Sequence, residues 1–287
     1  MAPIFISRND HFAPTHCHHK DATGVTQQTV DTVYTMLEQD FTYSCSDYLY
    51  RDDCSADEYT AAISSHKVTS DDRAKIVDWC YSAIDLCQID RVNVAMAMNI
   101  VDRFMSNPCQ LSSIEIPPQF SCQEILYDRN MYQLLAVSAL YIAIKINGEV
   151  ILSAGKLAAI SRGTYSVENI EAMERTILYC LSWRVCAPTA IQVGYAILEL
   201  MMYQVREDSA TVVKISRWES IREELAVQTE DAVRDYQLAT QSPSIVAFMA
   251  IWNAIENVQK VNDGEHNILS KALLNILVEV KRLTTEG

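Results

Sequence analysis

Met131-Tyr-Gln-Leu-Leu-Ala-Val-Ser-Ala-Leu-Tyr-Ile-Ala-Ile-Lys-Ile146 is apolar nearly all round and far too long for a strand. A helix apolar on every side has to be covered on every side, so the run predicts a central core helix with other helices packed around it. It does not read as a membrane span. A span needs about 18 or more apolar residues with few charges, whereas this run carries Lys145 and stops at Asn147-Gly148. Lys145 is its one charge, placed either where the helix breaks surface or where it is held out for a partner.

The rest of the chain fits that start. Among 287 residues there are seven glycines and seven prolines, few for the length, and Leu, Ala, Ile, Met and Glu recur at helical spacing. Alternating stretches are scarce, which predicts an all-α protein. The formal net charge of −14 opposes binding to a phosphate backbone by the whole chain. Nine cysteines, including Cys80, Cys87 and Cys180, lie mostly inside helical patterns without Cys-x-x-Cys pairing, as buried thiols of a reducing compartment would. The N-terminus lacks a basic-then-apolar signal peptide, so the expected location is inside the cell, nucleus or cytoplasm.

Taken in order, residues 1–27 mix Pro, Thr and His without period and read as a mobile tail. His16-Cys17-His18-His19 has metal-binding residue types but no second ligand pair at zinc spacing, so no metal is expected there. Residues 28–66 read as a helical arm, with Val30, Val33, Tyr34, Leu37 and Phe41 on one face and an aromatic cluster at Tyr43, Tyr48, Tyr50 and Tyr59. A helix beginning at Ser70-Asp71-Asp72 carries Ile76, Val77, Cys80, Ile84 and Cys87 on one stripe. Asp90 can cap the next, which holds Val94, Met98, Val101 and Met105. A connection of about twenty residues, 107–127, contains Pro117-Pro118 and is long for a compact domain.

After the central helix, short helices fit Gly155–Ser161 and Ser166–Leu181. Pro188 suits a first helical position, and the rhythm then repeats through 191–205, 212–229, 244–258 and 266–283. The run from Ser244 to Ala254 plays the part of the first central helix. The expected architecture is two bundles of about five helices, over 67–186 and 187–287.

No catalytic constellation stands in the chain: no Gly-rich phosphate loop, no Gly-x-Ser-x-Gly and no His-Glu-x-x-His. Asp71-Asp72 is similar to the aspartate-rich helix of magnesium-dependent, diphosphate-using helical enzymes. The third carboxylate such a site needs is replaced by Lys75 and Ile76. Arg73 and Asp102 are a better pair. One starts its helix and the other ends the next, so antiparallel packing would join them as a buried ion pair; two surface charges are the other reading.

Five segments in order carry a resemblance. They are Arg73-Ala-Lys-Ile-Val-Asp-Trp79, Val101-Asp102-Arg103-Phe104-Met105-Ser106, the run Gln133–Lys145, Met173-Glu174, and Leu181-Ser-Trp-Arg-Val-Cys-Ala-Pro-Thr189. Together they resemble the cyclin box, strongly over 73–189 and weakly across 30–280. The resemblance implies a cyclin-like fold of two five-helix repeats with an N-terminal helical arm. It also implies a non-catalytic regulatory subunit without cofactor or metal, which activates a cyclin-dependent protein kinase in cell-cycle control. A transcription-related cyclin-box protein, acting on RNA polymerase as kinase partner or adaptor, is the alternative. The acidic balance speaks against an adaptor that touches DNA.

Residue by residue, the resemblance implies that Arg73 and Asp102 are the family's internal ion pair. Lys145 and Glu174 would be its kinase-contacting charges, with Ile142, Leu178 and Trp183 offering apolar area beside them. A substrate- or inhibitor-docking groove would use Ile76, Trp79 and Gln133. Two groove positions depart from the pattern, being Asp72 and Lys75, and so does Ile146-Asn147-Gly148-Glu149 after the lysine. The 107–127 loop is an insertion relative to the family. No Arg-x-x-Leu degradation motif stands in the tail, and the Arg73-Ala-Lys-Ile-Val order resembles the D-like, G1 type.

Overall fold

The computed structural model describes residues 22–50, 67–106, 120–148, 152–208, 213–257 and 263–286. Among them are twelve helices and no strand. The His16–His19 cluster, Tyr59 and most of the 107–127 insertion lie outside the described residues. The helices are α1 (Ala22–Thr42), α2 (Ser70–Cys87), α3 (Val92–Ser106), α4 (Cys122–Leu126), α5 (Arg129–Asn147) and α6 (Ala154–Ile160), then α7 (Val167–Cys180), α8 (Ala190–Asp208), α9 (Ile215–Arg234), α10 (Tyr236–Ala239), α11 (Pro243–Asn257) and α12 (Asp263–Glu286).

Local chemistry sets the boundaries. Thr69, one residue ahead of the expected start, caps α2: its hydroxyl accepts from the Asp72 amide, and the Asp72 carboxylate accepts from the Thr69 amide. Asp128 caps α5 by accepting from Asn130 and Met131, and Gly148 ends it at φ +66°, where a side chain would be strained. Ser166 and Asn169 close the same reciprocal box on α7. Thr189 and Gln192 do so at α8, which leaves Pro188 outside the helix rather than at its first position. Pro243 takes that position in α11 instead. Helix α4 falls inside the stretch expected as loop, fixed by a Ser121–Glu124 box. Helix α1 begins at Ala22, ahead of the expected Gln28.

In the first bundle α5 is central, with α2, α3, α4, α6 and α7 packed around it. Eleven of its residues are buried, Tyr132 and Leu134 through Leu140 among them, because neighbours cover it on every side. Lys145 and Ile146 break surface at its end. Val94, Met98, Val101 and Met105 of α3 all face this core. Of the thiols expected to be buried, Cys80 is, while Cys87 and Cys180 are half-buried.

In the second bundle α11 packs against α8, α9 and α12. Its burial is one-sided: Ala247, Ala250, Ile251 and Ala254 face the core, while Ile245 and Met249 remain 55% exposed. Gly194 lets α8 approach α9 closely, since a Cβ there would lie 2.8 Å from a Leu225 methyl. The arm helix α1 belongs to this second bundle, placing Val33 and Leu37 in its core. The Asp40 carboxylate accepts from the Ser242 hydroxyl and from the Ser244 amide, so the arm supplies negative charge to the N-terminus of α11.

Candidate functional site

Helices α5 and α7 run side by side, and the charge at the end of the first meets a carboxylate on the second. The Lys145 ammonium lies 2.6 Å from Glu174 Oε1 and 4.7 Å from the centre of the Tyr141 ring, one turn back on its own helix. Lys145 is 50% exposed and Glu174 only 12%. The hydrogen bond that Lys145 donates to Glu174 raises the lysine's pKa, against a smaller opposing effect of burial. A positive group is thus held in place at the surface rather than left to wander.

Trp183 is 66% exposed and Tyr179 48% exposed, at the end of the same α7 that carries Glu174. Trp183 sits in the left-handed region at φ +63°, following Ser182 at φ +50°, in a turn closed by its amide bonding to Leu178 O at 2.8 Å. Such a backbone is unfavourable for a bulky side chain and persists only where the surroundings impose it. Leu178, one turn on from Glu174, is half-buried against the first core. Ile142 corrects an expectation: at 3% exposure it belongs to the core and offers no surface. It lies on the covered face of α5, whereas Tyr141 and Lys145, one turn apart, share the open one.

Arg73 and Asp102 meet where antiparallel α2 and α3 bring their ends together, at 0% and 2% exposure. Tyr48, from the segment after α1, donates from its hydroxyl to Asp102 Oδ1 at 2.9 Å and accepts from Tyr132 at the same distance. Tyr236, in the second bundle, donates to Asp47 and accepts from the amides of Tyr48 and Leu49. One buried polar network therefore joins the arm and both bundles. Desolvation lowers and Asp102 raises the arginine's pKa, and the net direction is upward. The sequence reading named the ion pair but missed Tyr132 and Tyr236. The signal was Tyr132, a phenol at the start of a largely apolar run, which has to find a polar partner when buried.

Ile76 and Trp79 of α2 and Gln133 of α5 are all half-buried, on two helices that pack together. Gln133 accepts from the Tyr165 hydroxyl at 3.1 Å. The two odd groove positions are engaged elsewhere. Asp72 holds the α2 cap and pairs with Arg129 at the start of α5, 2.9 Å away. Lys75, 70% exposed, pairs with Asp71 one turn back. Among the described residues no cluster of His, Cys, Asp and Glu could hold a metal ion, and no helix is long and apolar enough to cross a membrane.

A family model described as the cyclin N-terminal domain matches residues 44–186. That stretch is the first bundle together with the segment holding Tyr48. Among solved structures, the X-ray structure of a viral cyclin from herpesvirus saimiri matches with a TM-score of 0.58 at 14% identity, over 89% of this chain and 97% of that one. At that identity the likeness speaks for the fold alone, and it extends through the second bundle, beyond the reach of the family model.

Proposed function

The chain belongs to the cyclin family, a membership carried by residues 44–186, and from that premise we propose that it is a non-catalytic regulatory subunit that binds a cyclin-dependent protein kinase and switches it on allosterically. The single observation that supports this reading is the Lys145–Glu174 pair, a cation fixed at the surface on the helix side that ends in exposed Tyr179 and Trp183. Such a surface suits the end and flank of a docked helix: the charges bond its backbone groups while the two rings supply apolar area.

Activation then follows from differential binding. A protein kinase is inactive while the glutamate of its helix C cannot reach the lysine that holds the ATP phosphates. A partner that binds only the competent arrangement moves the equilibrium toward it. Going from 1:99 to 99:1 takes about 5.5 kcal/mol, which an interface of about 1,600 Å² can supply. We place this action in cell-cycle control, in nucleus or cytoplasm, with a G1, D-like role.

A charge exchange tests the reading. Lys145→Glu combined with Glu174→Lys keeps an ion pair within the chain but reverses what it presents. The expected result is a folded, fully helical protein that no longer co-purifies with its kinase. If the exchanged variant retains the kinase at wild-type yield, the pair is an internal brace and the proposed dock is wrong.

A further inference from the structure

The arm helix α1 is held on the second bundle by few groups. Among its described side chains Val33 and Leu37 are the buried apolar ones, and Asp40 is buried with them at 9% exposure. The Asp40 carboxylate sits at the N-terminus of α11. Its Oδ2 accepts from the Ser242 hydroxyl and, at 3.3 Å, from the Ser244 amide, while its Oδ1 is buried with no partner among the described residues. Ser242 stands directly before α11, and its carbonyl accepts from the Val246 amide at 3.2 Å, as an N-cap residue does. With its one proton committed to Asp40, the Ser242 oxygen accepts from the Ser244 hydroxyl 2.8 Å away. The arm's carboxylate thus takes the amide that an N-cap hydroxyl would otherwise serve. Pro243 follows, and Ser242-Pro243 is the one place in the chain where proline comes after a serine or threonine. Proline-directed kinases select such a pair because proline brings no amide N–H that would be left unpaired in their substrate cleft. Ser242 is half-buried, and Gln241 before it is exposed.

We propose that Ser242 is a phosphorylation site for a proline-directed serine kinase, and that its modification expels the α1 arm from the second bundle. The Ser242 oxygen attacks the γ-phosphorus of ATP. The new O–P bond forms as the bond to the bridging oxygen breaks, ADP leaves, and the hydroxyl proton passes to the kinase's catalytic aspartate. The step removes the proton that Asp40 accepts and puts a charge of about −1.5 to −2 in its place. The phosphate oxygens can accept from the first amides of α11, where negative charge is favoured. Asp40 cannot stay beside them, since its Oδ1 already lacks a donor and two anions would share one half-covered spot. Arm and phosphate therefore compete for the same helix end. The kinase reaches Ser242 while the arm is off, so docking delays modification and modification prevents redocking. The inference stands apart from the dock at Lys145 and Glu174, because here a kinase is the modifier and not the partner.

The experiment is hydrogen exchange of the α1 amides in the full chain, before and after treatment with a purified proline-directed kinase and magnesium ATP. Mass spectrometry locates the phosphate. Phosphate on Ser242 and about tenfold faster exchange over residues 29–42 are expected. Asp40→Asn removes one of the two anions and keeps an acceptor, so in that variant the phosphate should leave α1 exchange nearly unchanged. Ser242→Glu should loosen α1 without any kinase, and more than Ser242→Ala does. Leu37→Asp frees the arm and should be phosphorylated faster than wild type. No phosphate on Ser242 in either wild type or Leu37→Asp would overturn the site. Equal α1 exchange with and without the phosphate, or the same acceleration in Asp40→Asn, would overturn the competition. So would a Ser242→Ala chain as loose as Ser242→Glu, since the lost hydroxyl and not the charge would then free the arm.

Discussion

Arg73 on α2 holds Asp102 on α3 by two parallel hydrogen bonds, Nε to Oδ1 at 2.9 Å and Nη2 to Oδ2 at 2.7 Å, and its remaining Nη1 donates to the carbonyl of Val233 on α9, in the other bundle. One guanidinium thus fixes the register of two helices and the seat of a second domain. Breaking it by Asp102→Asn leaves a buried arginine without its counter-charge, and the expected loss is about 3–5 kcal/mol. Replacing both residues by methionine and leucine should restore much of that loss, since no lone charge remains. Urea unfolding measures both. A loss below about 1 kcal/mol for Asp102→Asn would place the pair among weak exposed bridges.

Tyr236→Phe deletes one oxygen that serves three partners: the amides of Tyr48 and Leu49, and the carboxylate of Asp47. The two amides stay covered by the surrounding rings, so about 1–3 kcal/mol should be lost. The loss falls on the segment 47–50, which ought to become the earliest site of limited proteolysis. Cleavage elsewhere first, with unchanged stability, would show that the rings alone hold the segment.

Asp72 should make stability depend on acid. Burial pushes its pKa up, but bonds from Arg129 and Thr69 outweigh that and hold it below the ordinary carboxylate value. A depressed pKa adds stability that is complete above the unfolded value and disappears as pH falls through the folded one. Asp72→Ala should therefore cost about 1 kcal/mol at pH 7. The cost should be constant from about pH 5 to 8 and shrink below about pH 4. Stability curves of the two proteins against pH supply the check, and a gap that persists undiminished at low pH counts against the cap.

Trp183→Gly separates strain from recognition. Glycine accepts φ +63° without penalty, and a side chain that is 66% exposed contributes little burial. Stability should stay within about 1 kcal/mol of wild type, while kinase co-purification falls at least tenfold. Retained association with equal stability would remove Trp183 from the proposed dock.

Much of the fold is legible in the letters. The run at 131–146 announces a covered helix because nothing on its surface tolerates water. Ser166 with Asn169 announces the start of α7. The approach of Lys145 to Glu174 was expected only through a family pattern, since the two stand 29 positions apart and no spacing rule links them. Ile142 shows the limit within one helix. In a run apolar on every side, period alone does not tell which residues face the core and which face a partner, and three positions before Lys145 proved to be inside.

Sequence alone determined that this chain is helical, where most helices begin and end, and which of them lies at the centre of the first bundle, because these features rest on local capping and on hydrophobic period. Only the tertiary structure decided that the arm packs on the second bundle through Val33 and Leu37, that Arg73 reaches Val233, and that the buried Arg103 Nη1 finds no acceptor among the described residues. Those outcomes depend on partners as far as 204 residues apart, whose meeting is set by how whole helices pack and not by any pattern within one of them.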